Sequence, residues 1–120
     1  MGQQAVAFEY YEDLLRYLLL DPDANPKETC GTLELVAELY LFQRNLDQSL
    51  NYYKEALNIH RRTQAVADEQ TIRLINHVIS VLYELSELNP EAGHDREAER
   101  YRAELSLIFD PTQQTESESP

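Results

Sequence analysis

The sequence predicts an all-α fold, an α-solenoid of antiparallel helical hairpins, and three observations lead to this prediction. Apolar residues recur at three- and four-residue steps in five segments of the 120-residue chain, as on one face of a helix. No segment alternates apolar and polar residues between turn-rich flanks, so no strand is expected. The apolar pattern of the first two segments recurs 42 residues later in the next two, which indicates a repeated helical unit.

The first two predicted helices are separated by a turn rich in Asp and Pro. The apolar side of the first helix, about residues 5–20, is formed by Phe8, Tyr11, Leu15, Leu18 and Leu19. Pro22 and Pro26 end it, because proline disfavours helical backbone at the preceding residue. Asn25 is the expected N-cap of the second helix, with Pro26 at its first position and Glu28 as the capping-box partner.

Capping residues also mark the starts of the other three helices. Asn45, with Gln48 as its partner, is expected to cap the third helix. The fourth helix follows Asp68 and extends to Leu88, and Asp95 is the expected cap of the fifth. Five consecutive helices are therefore predicted.

The chain is expected to form one domain followed by a short tail. Residues 1–110 are predicted to be a helical repeat domain. Residues 111–120 contain no apolar side chain apart from proline, so we expect a disordered acidic tail.

The charge balance narrows the choice of partners. Ten basic and 22 acidic residues give a net charge of −12. Such a surface repels nucleic-acid phosphate and anionic lipid, so neither is an expected partner. The longest apolar run, Leu18–Leu20, is too short to span a bilayer, and no basic, apolar leader is visible at the start. A cytoplasmic location is expected, which suits a chain with one cysteine.

The residue patterns of two separate helices recur when the sequence is compared with itself at a shift of 42 residues. The matched pairs are Ala7 and Ser49, Phe8 and Leu50, Tyr11 and Tyr53, Leu15 and Leu57, Leu33 and Ile75, Val36 and Val78, Ala37 and Ile79, and Tyr40 and Leu82. Chance rarely aligns two helices with one shift. The chain therefore divides into helices of types B, A, B, A and B, where A and B form one hairpin unit.

The spacing within these helices resembles the tetratricopeptide repeat. The second helix has the spacing large-x2-large-small-x2-aromatic, formed by Leu33, Val36, Ala37 and Tyr40. The third has the spacing small-x3-aromatic followed by a small residue, formed by Ser49, Tyr53 and Ala56. The unit of about 42 residues is similar to the kinesin-light-chain-like subtype of the family. Arg44 and Arg61 depart from the pattern, because they stand where the family has its inter-helix Gly and its closing Pro.

The resemblance implies an adaptor or scaffold that binds a peptide or partner segment in a concave groove lined by A helices. The family's groove positions fall on Glu34, Glu38, Leu41, Phe42, Arg73, Asn76, Ser80 and Tyr83. Glu34 and Glu38 stand where chaperone-binding members place a cation and an amide, so no clamp for a C-terminal carboxylate is expected. The groove would favour a basic segment with an apolar anchor. The alternative is that these acids form an ordinary solvated helix face.

Catalysis is not expected, and no cofactor or metal is predicted. His60, His77 and His94 have no second ligand at metal-binding spacing on the same helical face. Cys30 lies near a helix start, where a thiol pKa can be lowered, but a small packing residue is the favoured interpretation. The sequence also lacks the common nucleophile and phosphate-binding motifs.

Self-association through the first helix is the main alternative function. Apolar residues continue around much of this helix beyond its core side, and the predicted contact residues are Tyr10, Leu14, Tyr17 and Leu18. A second copy of the chain, giving a homodimer, or packing of this face on residues 33–40 would each explain them. Four tyrosines are expected in cores, Tyr11, Tyr40, Tyr53 and Tyr101, and four on contact surfaces, Tyr10, Tyr17, Tyr52 and Tyr83.

Overall fold

A computed structural model of the chain describes residues 2–63 and 67–109, and it divides into two compact units, Met1–Val66 and Ala67–Pro120. These described ranges contain five α-helices and one 3₁₀ turn and no strand, which confirms the all-α prediction. None of the helices within them combines the length and apolar character needed to cross a bilayer. The predicted tail, 111–120, lies outside the described residues.

The first unit contains α1, Gly2–Leu20, α2, Pro26–Phe42, and α3, Leu46–Thr63. The Asn25 side chain accepts a hydrogen bond from the Lys27 backbone N–H, as predicted for an N-cap, and Pro26 takes the first helical position. Asn45 likewise precedes α3 and accepts from the Gln48 N–H at 3.5 Å.

A Schellman motif ends α2. The Arg44 N–H donates to the Leu41 carbonyl at 3.0 Å, and the Asn45 N–H donates to the Tyr40 carbonyl at 2.9 Å. Arg44 adopts φ 64°, the left-handed conformation that this motif requires and that glycine adopts without steric cost. Arg44, which stands where the resembled tetratricopeptide pattern has glycine, therefore adopts a backbone conformation that favours glycine.

Helices α2 and α3 pack as an antiparallel pair. The Ser49 hydroxyl donates to the Ala37 carbonyl at 2.8 Å, and these residues are twelve positions apart. The Cys30 thiol donates to the Ala56 carbonyl, twenty-six positions away. The partners thus move along α2 and α3 in opposite directions. Ser49 and Ala37 are both fully buried, so small side chains allow the two backbones to approach closely.

Helix α1 also packs against α2. The Phe8 ring meets Tyr40 edge to face, with ring centroids 4.8 Å apart. The first part of α1 therefore lies beside the last part of α2. The core of the unit is formed by Leu15, Leu18, Leu33, Val36, Ala37, Leu50, Tyr53, Ala56 and Leu57.

The second unit contains α4, Glu69–Leu88, a 3₁₀ turn, Pro90–Ala92, and α5, His94–Phe109. Asp68 and Thr71 form a reciprocal capping box at the start of α4, and the helix reaches Leu88 as predicted. The prediction that Asp95 caps α5 is wrong by about two residues. Gly93 adopts φ 83° and its carbonyl accepts from the Glu97 N–H, so the helix begins at His94. The core residues of this unit include Leu74, Ile75, Val78, Val81, Leu82 and Ala98.

Candidate functional site

The groove residues predicted on α2 share one helix face because they recur every four positions. We call Glu34, Glu38 and Phe42 the α2 face. Glu34 is buried, with 8% of its surface exposed, Glu38 is exposed, and Phe42 is 70% exposed. Leu41 is half-buried beside them. The face thus changes from enclosed and acidic at one end to open and apolar at the other.

Negative charge is concentrated along the α2 face. Carboxylate oxygens of Glu34 and Glu38 lie within 4.8 Å of each other. Burial raises the pKa of the Tyr53 hydroxyl on α3, and the carboxylates of Glu38 and Glu34 raise it further. Both acids therefore lie close to a buried tyrosine, and the charge of the buried Glu34 is less screened than in bulk water. A positively charged group would be attracted to this location.

In the second unit, three of the groove residues predicted on α4 are exposed: Arg73, Asn76 and Ser80. Tyr83 is half-buried and already makes contacts within that unit. Its hydroxyl donates to Glu99 of α5 and accepts a hydrogen bond from Arg102 at 3.3 Å. The bond to Tyr83, with the nearby charge of Glu99, raises the pKa of the Arg102 guanidinium. The structure therefore assigns Tyr83 to the α4–α5 contact, which helical periodicity alone did not indicate.

The predicted self-association residues of α1 separate into an exposed and a buried group. Tyr10 and Tyr17 are 62% and 67% exposed, and Leu14 is half-buried. Leu18 is only 6% exposed and belongs to the core. The exposed apolar surface of α1 therefore includes Tyr10 and Tyr17 but not Leu18. Val6, Leu20 and Leu19 are exposed as well, so the prediction that Leu19 belongs to the apolar side of the helix is wrong.

An aromatic cluster joins all three helices of the first unit, and helical periodicity alone does not indicate it. The rings of Tyr40 and Tyr52 stack with centroids 5.4 Å apart and planes within 10° of parallel. The Tyr40 hydroxyl donates to Glu12 Oε2 at 3.0 Å. Burial and then this carboxylate raise the pKa of Tyr40 to about 12. Glu12 belongs to the polar stripe of α1, and amphipathic patterning does not tell which acid of such a stripe meets a neighbouring helix.

A surface pocket lies beside this cluster. It has a volume of about 190 Å³ and is lined by Glu12, Leu15, Arg16, Leu19 and Tyr52. We call it the α1–α3 pocket. Leu15 is buried at its wall, and Glu12 and Tyr52 are half-buried. The pocket therefore combines apolar walls, one aromatic ring and both signs of charge.

The four candidate catalytic residues all lie in helices, and His77 is half-buried in α4. Cys30 is 1% exposed, and its thiol donates to the Ala56 carbonyl at 2.8 Å. His60 is buried near the end of α3, and His94 is the first residue of α5. The position of Cys30 explains why a small residue stands there, because it lies at the close contact of α2 and α3.

Comparisons of this chain with protein-family models, with curated proteins and with solved structures find no match.

Proposed function

We propose that this chain is a protein-interaction module of the tetratricopeptide-repeat type, in which the α2 face binds a basic segment of another protein that carries an apolar anchor. The proposal includes a solenoid arrangement of the hairpins and involves no catalytic step or cofactor. The observation that carries it is the exposure of Phe42 at 70% on the same face as two neighbouring carboxylates. A large exposed apolar side chain next to acidic side chains is typical of a binding surface.

Two features of the α2–α3 hairpin support the repeat assignment. Arg44 has the positive φ that the family's glycine provides, and the Schellman hydrogen bonds around it set the turn between A and B helices. Ala37 and Ser49 occupy the small positions of the pattern and touch through a hydrogen bond of 2.8 Å. Both features follow from the hairpin geometry rather than from composition.

The proposed ligand follows from the chemistry of the α2 face. A Lys or Arg side chain would be attracted by Glu38, and a neighbouring Leu or aromatic side chain would cover Phe42. An acidic segment would be repelled, because the chain carries a net charge of −12.

Binding to a peptide array tests the proposal. The array would contain basic peptides with one Leu or Phe, their acidic counterparts, and basic peptides without an apolar residue. We expect the first group to bind best and to weaken at high salt. Glu38→Lys should reduce the affinity about two- to fivefold, as for an exposed ion pair, and Phe42→Ser should reduce it further.

The matched control is Glu55→Lys, which makes the same charge change at an exposed position of α3. If Glu55→Lys and Glu38→Lys weaken binding equally, attraction by the overall charge explains the result and the α2 face is not the site. Glu34 is left unchanged, because a charge reversal at a buried position would disturb the fold.

Homo-oligomer formation through α1 is a second candidate function, favoured by the exposure of Tyr10 and Tyr17 at 62% and 67%. Sedimentation velocity over a concentration series tests it. A dimer that is lost in a Tyr10→Ser, Tyr17→Ser variant would support this function, and a monomer at all concentrations would exclude it.

A further inference from the structure

We propose that the α1–α3 pocket binds the cationic end of a lysine or arginine side chain that a partner protein presents. This surface is separate from the α2 face and involves different residues, so either site can exist without the other. The occupant is inferred from the size of the pocket, from the partners of its acidic and its basic side chain, and from its apolar and aromatic walls.

The size indicates a single side chain. The pocket holds about 190 Å³, whereas sites for small-molecule ligands start at roughly 300 Å³. A metabolite would fill it and protrude widely into solvent, while one long side chain could enter from a neighbouring surface.

The negative charge of the pocket lies at Glu12. This carboxylate is half-buried and accepts a hydrogen bond from the Tyr40 hydroxyl at 3.0 Å. A carboxylate offers about four acceptor sites, so Tyr40 leaves acceptor capacity for a charged donor. Tyr40 is itself in contact with Phe8 and Tyr52, so the carboxylate is positioned by a packed cluster and not by a mobile side chain.

The positive charge of the pocket is directed to another partner. Arg16 forms an ion pair with Asp13 at 3.2 Å, and both side chains are exposed. Glu12 stands four positions before Arg16, which is the favourable arrangement for a helical ion pair. The observed pair with Asp13 nevertheless takes the guanidinium. Arg16 nevertheless lines the pocket, so its positive charge opposes the binding of a cation at Glu12.

The walls fit the stem of a basic side chain. Leu15 and Leu19 provide aliphatic surface, on which the methylene groups of Lys or Arg can pack while the charged end stays near water. Tyr52 adds an aromatic ring, which attracts a cation placed over its face. A carboxylate ligand would gain from Arg16 alone and would meet Glu12.

Titration with small analogues of the two side chains tests this assignment. Butylguanidinium and butylammonium would be added to the isotopically labelled full chain and followed by NMR chemical shifts, with butanol and butyrate as neutral and anionic controls. We expect the two cations to shift the amide signals of residues 12–19 and 52 in a saturable manner. Butanol and butyrate should bind more weakly.

Three substitutions of similar size separate the pocket from the general charge of the protein. Glu12→Gln should weaken binding of the cations about fivefold, the upper range for an ion pair near the surface. Arg16→Gln should strengthen it about twofold, because a positive charge that repels the cations is removed from the pocket. Glu9→Gln, at an exposed carboxylate of α1 that does not line the pocket, should leave it unchanged.

Several results would overturn the proposal. Equal losses in Glu9→Gln and Glu12→Gln would mean that diffuse attraction explains the binding. Butanol binding as tightly as the cations would make the pocket an apolar site only. Arg16→Gln alters an exposed side chain and is expected to fold. Weaker or unchanged cation binding in this variant would therefore contradict the proposed site even if Glu12→Gln were unstable.

Discussion

Replacing Tyr40 with Phe should lower the free energy of unfolding by about 1–2 kcal/mol. The substitution removes the hydroxyl that donates to Glu12 at 3.0 Å. Hydrogen bonds to charged groups contribute about 1.5–3 kcal/mol, and the lower part of that range applies because Tyr40 is only half-buried. A Phe ring at this position keeps the contacts with Phe8 and Tyr52. The loss of stability therefore measures the contribution of the hydroxyl and not that of the ring packing.

The pH dependence of this loss has a definite sign. The pKa of Tyr40 is raised from 10.0 to about 12 in the folded chain. A group whose pKa is raised by folding stabilises the protein fully below its unfolded pKa and loses that effect as pH rises through the folded value. The difference between wild type and Tyr40→Phe should therefore be constant from neutral pH to pH 10 and should shrink between pH 10 and about 12.

Urea titration followed by far-UV circular dichroism measures both effects. Tyr10→Phe is the matched control, because it removes a hydroxyl from an exposed tyrosine of α1 and should change stability by less than about 0.5 kcal/mol. A double-mutant cycle with Glu12→Gln should give a coupling energy of about 1 kcal/mol. Equal stabilities of Tyr40→Phe and Tyr10→Phe, or strictly additive effects in the cycle, would refute the role assigned to this hydrogen bond.

Three further substitutions probe local features of the fold. Arg44→Gly should stabilise the chain by about 0.5–1 kcal/mol. Glycine avoids the steric cost of φ 64°, and its larger conformational entropy in the unfolded chain offsets part of that gain. Ser49→Leu should destabilise it by about 3 kcal/mol or more, because Ser49 is fully buried and its oxygen lies 2.8 Å from the Ala37 carbonyl. Asp68→Ala should cost about 1 kcal/mol by removing the capping box with Thr71.

Thermal and urea unfolding measure these changes, and each has an outcome that contradicts its reasoning. Arg44→Ala keeps the steric cost and removes the same charge, so a gain equal to that of Arg44→Gly would assign the effect to charge. A stable Ser49→Leu variant would mean that α2 and α3 do not approach closely. Unchanged stability in Asp68→Ala would show that water replaces the cap.

Local features of the fold were predictable because they depend on neighbours in the sequence. Asn25 and Asp68 precede regular apolar periods, and their side chains cap the helices as expected. The start of α5 was misplaced because Gly93 and Asp95 both carry helix-start signals, and only the backbone conformation shows which one acts.

The surroundings of individual side chains were less predictable because they depend on distant residues. A charged residue of an amphipathic helix is assigned to solvent by default, yet Glu34 is buried and Glu12 meets Tyr40 of another helix. Leu18 fits both the apolar side of α1 and its predicted contact residues, and only the structure shows that it lies in the core. The pattern defines the faces of each helix, but the neighbours that cover them follow from the tertiary packing.

The enclosure of the one thiol between α2 and α3 has a practical consequence. Alkylation of Cys30 requires the hairpin to open, so its rate reports the opening frequency in the wild-type chain without an engineered probe. A partner that separates the two helices would accelerate the labelling, whereas one that docks on the closed hairpin would slow it. The kinetics of a single chemical modification can therefore distinguish remodelling of the hairpin from simple attachment to its surface.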